Sequence, residues 1–208
     1  MFITFEGIDL SGKSTQAKLL LEHLKKNKKK AILVREPGGT FISEKIRKIL
    51  LDKSNENMTY PAEFLLFSAS RNQLTEEVIK PHLKKGYYVI CDRYFDSSTA
   101  YQGYGGSINI DHITAVNKIA SGGLDPDITF LINISAAESF KRKKLRKQDE
   151  DRIEQKKLNY YNKVVLGYFE IAKKNKKRFK IIDGTGKIEN IQTEILNTLK
   201  LKTEKNKR

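Results

Sequence analysis

The chain opens Met1-Phe2-Ile3-Thr4-Phe5-Glu6-Gly7-Ile8-Asp9-Leu10-Ser11-Gly12-Lys13-Ser14-Thr15. Phe2, Ile3 and Phe5 make a short apolar run of the kind that forms a buried strand. The run ends in residues 7–14, which fit G-x-x-x-x-G-K-[ST] at every fixed position. Gly7 and Gly12 let the backbone turn tightly enough for its N–H groups to face phosphate oxygens. The helix that follows adds its own unpaired N–H groups and its dipole. Lys13 is then placed to reach β- and γ-phosphates, and the Ser14 hydroxyl to hold Mg²⁺. A chance glycine turn would need neither the strand before it nor the helix after it. The pattern predicts that residues 7–15 bind a nucleoside triphosphate, and leaves open what receives the phosphoryl group.

Composition narrows the classes. A chain of 208 residues is long enough to bury a substantial core in a single domain spanning 1–208. Apolar runs of a few residues leave no membrane span, and the start, directly into strand and loop, leaves no room for a cleaved signal. One cysteine, Cys91, excludes an internal disulfide and fits a reducing cytoplasm. The formal charge of +15, from 40 Lys+Arg against 25 Asp+Glu, invites a nucleic-acid reading. The excess lies in clusters such as Lys28-Lys29-Lys30, Lys176-Lys177-Arg178 and the tail at about 202–208, read here as solvated helix ends. These lack the interleaved aromatics of a single-strand platform, so no nucleic-acid partner is expected.

Outward from the opening stretch, strand and helix patterns alternate. Ala17, Leu20, Leu21 and Leu24 recur at helical spacing, and Ala31 to Val34 read as the strand that closes a βαβ unit. A short helix carries Ile42, Ile46 and Arg47, and a long one runs from Pro61 toward Pro81. Strands follow at Tyr87 to Cys91 and Ile128 to Ile134, helices at about 111–120 and 136–145, a helix through Leu158 and Ala172, a strand at Phe179 to Ile182 and a closing helix to about Leu199. Residues 95–107, rich in Ser, Gly and Tyr, read as a loop, and Asp111 as the cap of the next helix. Five strands alternating with helices predict one α/β domain, a parallel sheet with helices on both faces.

Open α/β sheets place ligands at the carboxyl ends of their strands. Those ends carry Arg35-Glu36-Pro37-Gly38-Gly39 and Asp92-Arg93-Tyr94. Arg35, Arg47 and Arg93 suit a phosphate, because guanidinium forks bind such oxygens in pairs. Asp92 is placed to coordinate Mg²⁺, or else to cap a turn. Phe67 and Arg71, four apart, share a helix face that could stack a base and bond its edge, although Phe67 also fits a core and Arg71 a salt bridge. Gln102 is either a reader of a base edge or a solvent-exposed amide. If the acceptor is a monophosphate, its oxygen is already ionised and no strong base is required.

The segments FEGIDLSGKST, REPGGT, EFLLFSASR, DRYFDSSTAYQG and DRIE, taken as a set, resemble the bacterial type of thymidylate kinase, a family of P-loop nucleoside monophosphate kinases. The resemblance runs from Phe2 to about Leu199 and implies a single-domain P-loop kinase fold with a mobile lid at about 142–154. It implies transfer of the γ-phosphoryl of Mg-ATP to dTMP in dTTP synthesis, by a cytoplasmic homodimer. Carried over by motif, ATP meets Gly7, Ile8, Asp9, Leu10, Ser11, Gly12, Lys13, Ser14 and Thr15, with Asp183 near adenine. Asp9 meets the deoxyribose 3′-hydroxyl; Arg35, Glu36 and Pro37 border the acceptor; Arg47 and Arg93 meet its phosphate. Phe67 stacks on thymine, Arg71 bonds it, Ser97 and Gln102 read its edge and Tyr101 packs on the sugar. Ser14 and Asp92 attend Mg²⁺.

The resemblance places the catalytic arginine in the lid, since Leu10 and Ser11 leave none in the P-loop. Arg146 and Arg152 are the candidates, with Arg142 behind them. Lys147 stands where the family commonly has glycine, so the lid register stays open by about one residue. Two rivals remain at this level: another nucleotide or deoxynucleoside kinase, and a P-loop protein that binds nucleic acid.

Overall fold

The computed structural model describes residues 1–146 and 149–205, and the side chains of residues 1–146 and 149–200. Lys147, Gln148 and the last three residues of the basic tail lie outside the described residues. Within them the chain runs β1 (Phe2–Glu6), α1 (Lys13–Lys26), β2 (Ala31–Arg35), α2 (Phe41–Leu51) and α3 (Tyr60–Leu74). A π-helical segment, Thr75–Ile79, leads into α4 (Lys80–Lys84), then β3 (Tyr88–Asp92) and α5 (Phe95–Ser98). A second π-helical segment, Thr99–Gly105, precedes α6 (Ile110–Ala120), β4 (Ile128–Asn133), α7 (Ala136–Leu145), α8 (Leu158–Lys174), β5 (Phe179–Asp183) and α9 (Ile188–Lys205).

All strand pairs are parallel, in the order β2-β3-β1-β4-β5. The register sets Phe5 beside Asp92 and Arg35 beside the same Asp92, so the carboxyl ends of β1, β2 and β3 form one rim. Period-two alternation divides β1 between the two layers. Ile3 and Phe5 pack with Ala17 and Leu20 of α1 and Ile191 and Ile195 of α9. Phe2 faces the other side, against Leu74, Ile79 and Tyr94. A further cluster joins Ile8 and Leu131 to Tyr161, Val164 and Tyr168 of α8. Helices therefore cover both faces, as predicted. No helix among the described residues is long and apolar enough to cross a membrane.

Three local expectations are corrected. Residues 95–105 are helical, not a loop. Glycines at the end of this stretch permit close packing: a Cβ on Gly105 would lie 2.7 Å from the Tyr160 ring, and one on Gly106, the next residue, 2.7 Å from Tyr60. The cap of α6 is Asn109, whose side chain accepts from the Asp111 N–H, so Asp111 is a first-turn residue. Pro81 does not end the long helix. The wider turn at 75–79 precedes it, and helix resumes through Lys84.

Candidate active site

The P-loop is built on unusual backbone angles. Gly7 has φ of 140° and Gly12, at the start of α1, 95°. A Cβ on Gly7 would lie 2.4 Å from the Ile132 carbonyl oxygen, so close approach of β4 demands glycine there. Arg142 braces the loop from behind, donating to Leu10 O at 3.1 Å and Gly184 O at 3.0 Å while paired with Glu138. That places Arg142 in a structural clasp.

In front of the loop lies a cavity of about 520 Å³. Its P-loop side is Asp9, Leu10, Gly12, Lys13, Ser14 and Thr15; Asp92 and Arg93 close the middle. Arg93, in a left-handed conformation at φ of 71°, is the hub. It donates to Asp9 Oδ1 at 2.5 Å, Gly7 O at 2.9 Å, Ser97 Oγ at 3.2 Å and Tyr101 OH at 3.2 Å. Burial alone would raise Asp9, but the charges of Arg93 and Lys13 outweigh it and hold the carboxyl down at about 2. Burial is also the largest influence on Lys13, and with the Arg93 charge it lowers the ammonium. Asp92 has one buried carboxylate oxygen, Oδ1, that accepts no hydrogen bond.

The other wall comes from β2 and the loop after it, α2, α3, α5 and the second π-helical segment. Arg35, Glu36, Pro37, Arg47, Phe67, Arg71, Ser97, Tyr101 and Gln102 all reach the cavity. Arg35 pairs with Glu44 at 2.9 Å, and Arg47 donates to Pro37 O at 3.0 Å. Phe67 is half-buried at the cavity wall, which separates it from the core. Arg71 is both salt-bridged and in the wall: it meets Glu36 at 2.7 Å and donates to Asn117 and Ser98, each at 2.7 Å. Gln102 is buried, not solvent-exposed, and bonds Glu63. Tyr101 donates to Asp9 Oδ2 at 3.2 Å.

From the lid, Arg146 enters the cavity beside Asp151, Ile153 and Glu154. Its guanidinium donates to both Glu154 oxygens, at 2.9 and 2.5 Å. Arg152 points elsewhere, held by Glu63 at 2.7 Å and by Leu50 O at 2.8 Å. Gly7, Ile8 and Ser11 do not line the cavity. Asp183 is exposed at the end of β5, where its carboxylate accepts from the Thr185 N–H and hydroxyl.

Sequence reasoning overlooked the residues that hold this wall from behind. Glu6, completely buried, accepts from Tyr94 N, Ser97 Oγ and Tyr168 OH and so fixes the turn that carries Arg93. Burial, then the nearby Asp96 charge, pushes it up to about 7. Tyr161 donates to Asp9 Oδ2 at 2.8 Å, and Ser139 to Asp9 O at 2.7 Å. A glutamate inside an apolar strand was the available signal for Glu6; the tyrosines of α8 carried none beyond helical spacing.

A loop that cradles phosphates thus shares one cavity with a wall of arginines, a phenylalanine and an amide. The family model described as thymidylate kinase matches residues 5–195. The chain is 45% identical over 197 residues to the thymidylate kinase of Kosmotoga olearia, covering 94% of this chain and 93% of that one. To the thymidylate kinase of Thermosipho africanus it is 48% identical over 195 residues, covering 94% and 95%. The crystal structure of thymidylate kinase from Ehrlichia chaffeensis superposes with a TM-score of 0.75 at 36% identity, covering 96% of this chain and 98% of that one. On cavity, fold and sequence together, the chain belongs to the thymidylate kinase family.

Proposed function

We propose that this chain transfers the γ-phosphoryl of ATP to dTMP, giving dTDP and ADP, with the cavity residues in the following roles. The observation that carries the reading is the single cavity lined both by Lys13 and Ser14 and by Phe67, Arg71 and Gln102. The P-loop amides and Lys13 hold the donor phosphates. Arg93, Arg47 and Arg35 neutralise and orient the acceptor phosphate, whose ionised oxygen needs no general base. Asp9, kept ionised by Arg93 and Lys13, accepts the deoxyribose 3′-hydroxyl. Phe67 stacks on thymine, Arg71 and Gln102 bond its edge, and Tyr101 packs against the sugar.

Arg146 is the lid arginine, since it alone of the three lid candidates lies on the cavity. It leaves Glu154 for the transferring group as the lid closes, which couples closure to charge neutralisation.

The unpaired Oδ1 of Asp92 and the Ser14 hydroxyl fit a magnesium ion, whose other ligands would be phosphate and water. When bound, Mg²⁺ neutralises phosphate charge and aligns the donor. The reading includes a cytoplasmic homodimer acting on free nucleotides and not on nucleic acid. Phe41, Ile42 and Ile49 of α2, Leu65 of α3 and Ile119 of α6 are exposed apolar residues on adjacent helices, and support pairing there. The test is a coupled assay with Mg-ATP and each common nucleoside monophosphate. Dominant turnover of dTMP, with weaker dUMP, is expected; preference for UMP or CMP would refute the reading.

A further inference from the structure

The residue that decides which end of the Gln102 amide faces the cavity does not itself line the cavity. Glu63 is completely buried in the first turn of α3, and both of its carboxylate oxygens are engaged. Oε1 accepts from Gln102 Nε2 at 2.8 Å. Oε2 meets Arg152 Nη2 at 2.7 Å and Lys156 Nζ at 3.9 Å. Those cations are fixed in turn. Arg152 is tied to Leu50 O through its side chain and to Leu51 O through its backbone. Lys156 lies 4.0 Å from the centre of the Tyr60 ring and 4.8 Å from that of Tyr160, two rings stacked on each other.

An ionised carboxylate can only accept hydrogen bonds. Glu63 therefore takes the NH₂ end of the amide and leaves Gln102 Oε1, which no described residue bonds, for the cavity. Arg71 offers the opposite polarity, because a guanidinium has only donors. Its links to Glu36, Asn117 and Ser98 hold it in the same wall, and Ser98 precedes Gln102 by four residues. The wall thus presents an acceptor beside a donor. That order matches the N3–H and 4-carbonyl of thymine or uracil. It opposes cytosine, where the 4-amino group donates and N3 accepts.

We propose that Glu63 is a positioning residue that sets base specificity by locking the Gln102 amide, and that Arg152 serves it by keeping its buried charge paired. This rests on the reading that the acceptor is dTMP. It moves Arg152 from the phosphoryl end of the site to the base end, although its sequence neighbours lie in the lid.

The test uses the full chain as wild type, as Glu63→Gln and as the double variant Glu63→Gln/Arg152→Met, each with Mg-ATP and dTMP, dUMP or dCMP. In Glu63→Gln the amide is free to turn, so the dTMP:dCMP ratio of kcat/KM falls at least about tenfold. The loss comes through a higher KM for dTMP, with kcat at saturation held within about threefold, and dUMP, which carries the same edge, follows dTMP. The double variant removes the orphaned cation as well, so it stands in where the single variant is unstable, and it shows the same loss. A wild-type ratio in either variant overturns the proposal. A fall confined to kcat and equal for all acceptors also overturns it, as the mark of general structural damage. A wild-type enzyme without preference for dTMP refutes the functional reading instead.

Discussion

Replacing Arg178 with methionine tests how the turn that carries Arg93 is anchored. Asp96 follows Arg93 by three residues and is almost completely buried. Its carboxylate receives both arms of the Arg178 guanidinium, at 2.6 and 2.8 Å, and Arg178 also donates to Thr129 Oγ1 of β4 at 2.8 Å. Methionine keeps much of the packing against Phe95 and Phe179 but leaves a buried carboxylate without its partner. Removing one member of such a pair costs about 3–5 kcal/mol. For a chain of this size that lowers the melting temperature by on the order of 10 °C. The partner change Asp96→Asn strands only a guanidinium that water can partly reach, so it costs less, and the double variant less than the sum. Urea unfolding of the three variants beside Lys176→Met measures this; the exposed Lys176 should shift stability by under about 0.5 kcal/mol. A loss below about 1 kcal/mol for Arg178→Met, or strict additivity with Asp96→Asn, would refute the assignment.

Arg146→Ala should lower kcat by about 10³-fold or more while leaving dTMP affinity nearly unchanged, as read by single-turnover kinetics and calorimetry. Chelation of Mg²⁺ should abolish turnover but not dTMP binding, and Asp92→Asn should raise the Mg²⁺ concentration needed for half-maximal rate. Glu6 supplies a pH dependence: its folded value of about 7 lies above the 4.5 of an ordinary glutamate, so the native state keeps a proton that the unfolded chain gives up. Its stabilising contribution is complete below about 4.5 and lost as pH rises through about 7, on the order of 3 kcal/mol in all. Glu6→Gln should flatten denaturant stability between pH 5 and pH 8 relative to wild type; an unchanged slope would count against a protonated Glu6.

What could be read from the chain alone follows from local physics. The P-loop pattern needs only spacing, because the glycines, Lys13 and Ser14 act within one turn of backbone. The strands and most helices needed only their hydrophobic period, and alternation of the two specified a parallel sheet covered on both faces. Motifs at strand ends located one wall of the cavity, because parallel sheets gather those ends together.

What was misread or left open depends on contacts between distant segments. Gly105 and Gly106 look like loop residues in isolation and are packing contacts only in the presence of Tyr160 and Tyr60. Arg178 belongs to a run of solvated lysines by sequence and to Asp96, 82 positions away, in space. Arg146 and Arg152 are equivalent as lid cations on paper. Only the buried Glu63 of α3, which takes Arg152, leaves Arg146 on the cavity, because a buried carboxylate requires a partner wherever the fold provides one.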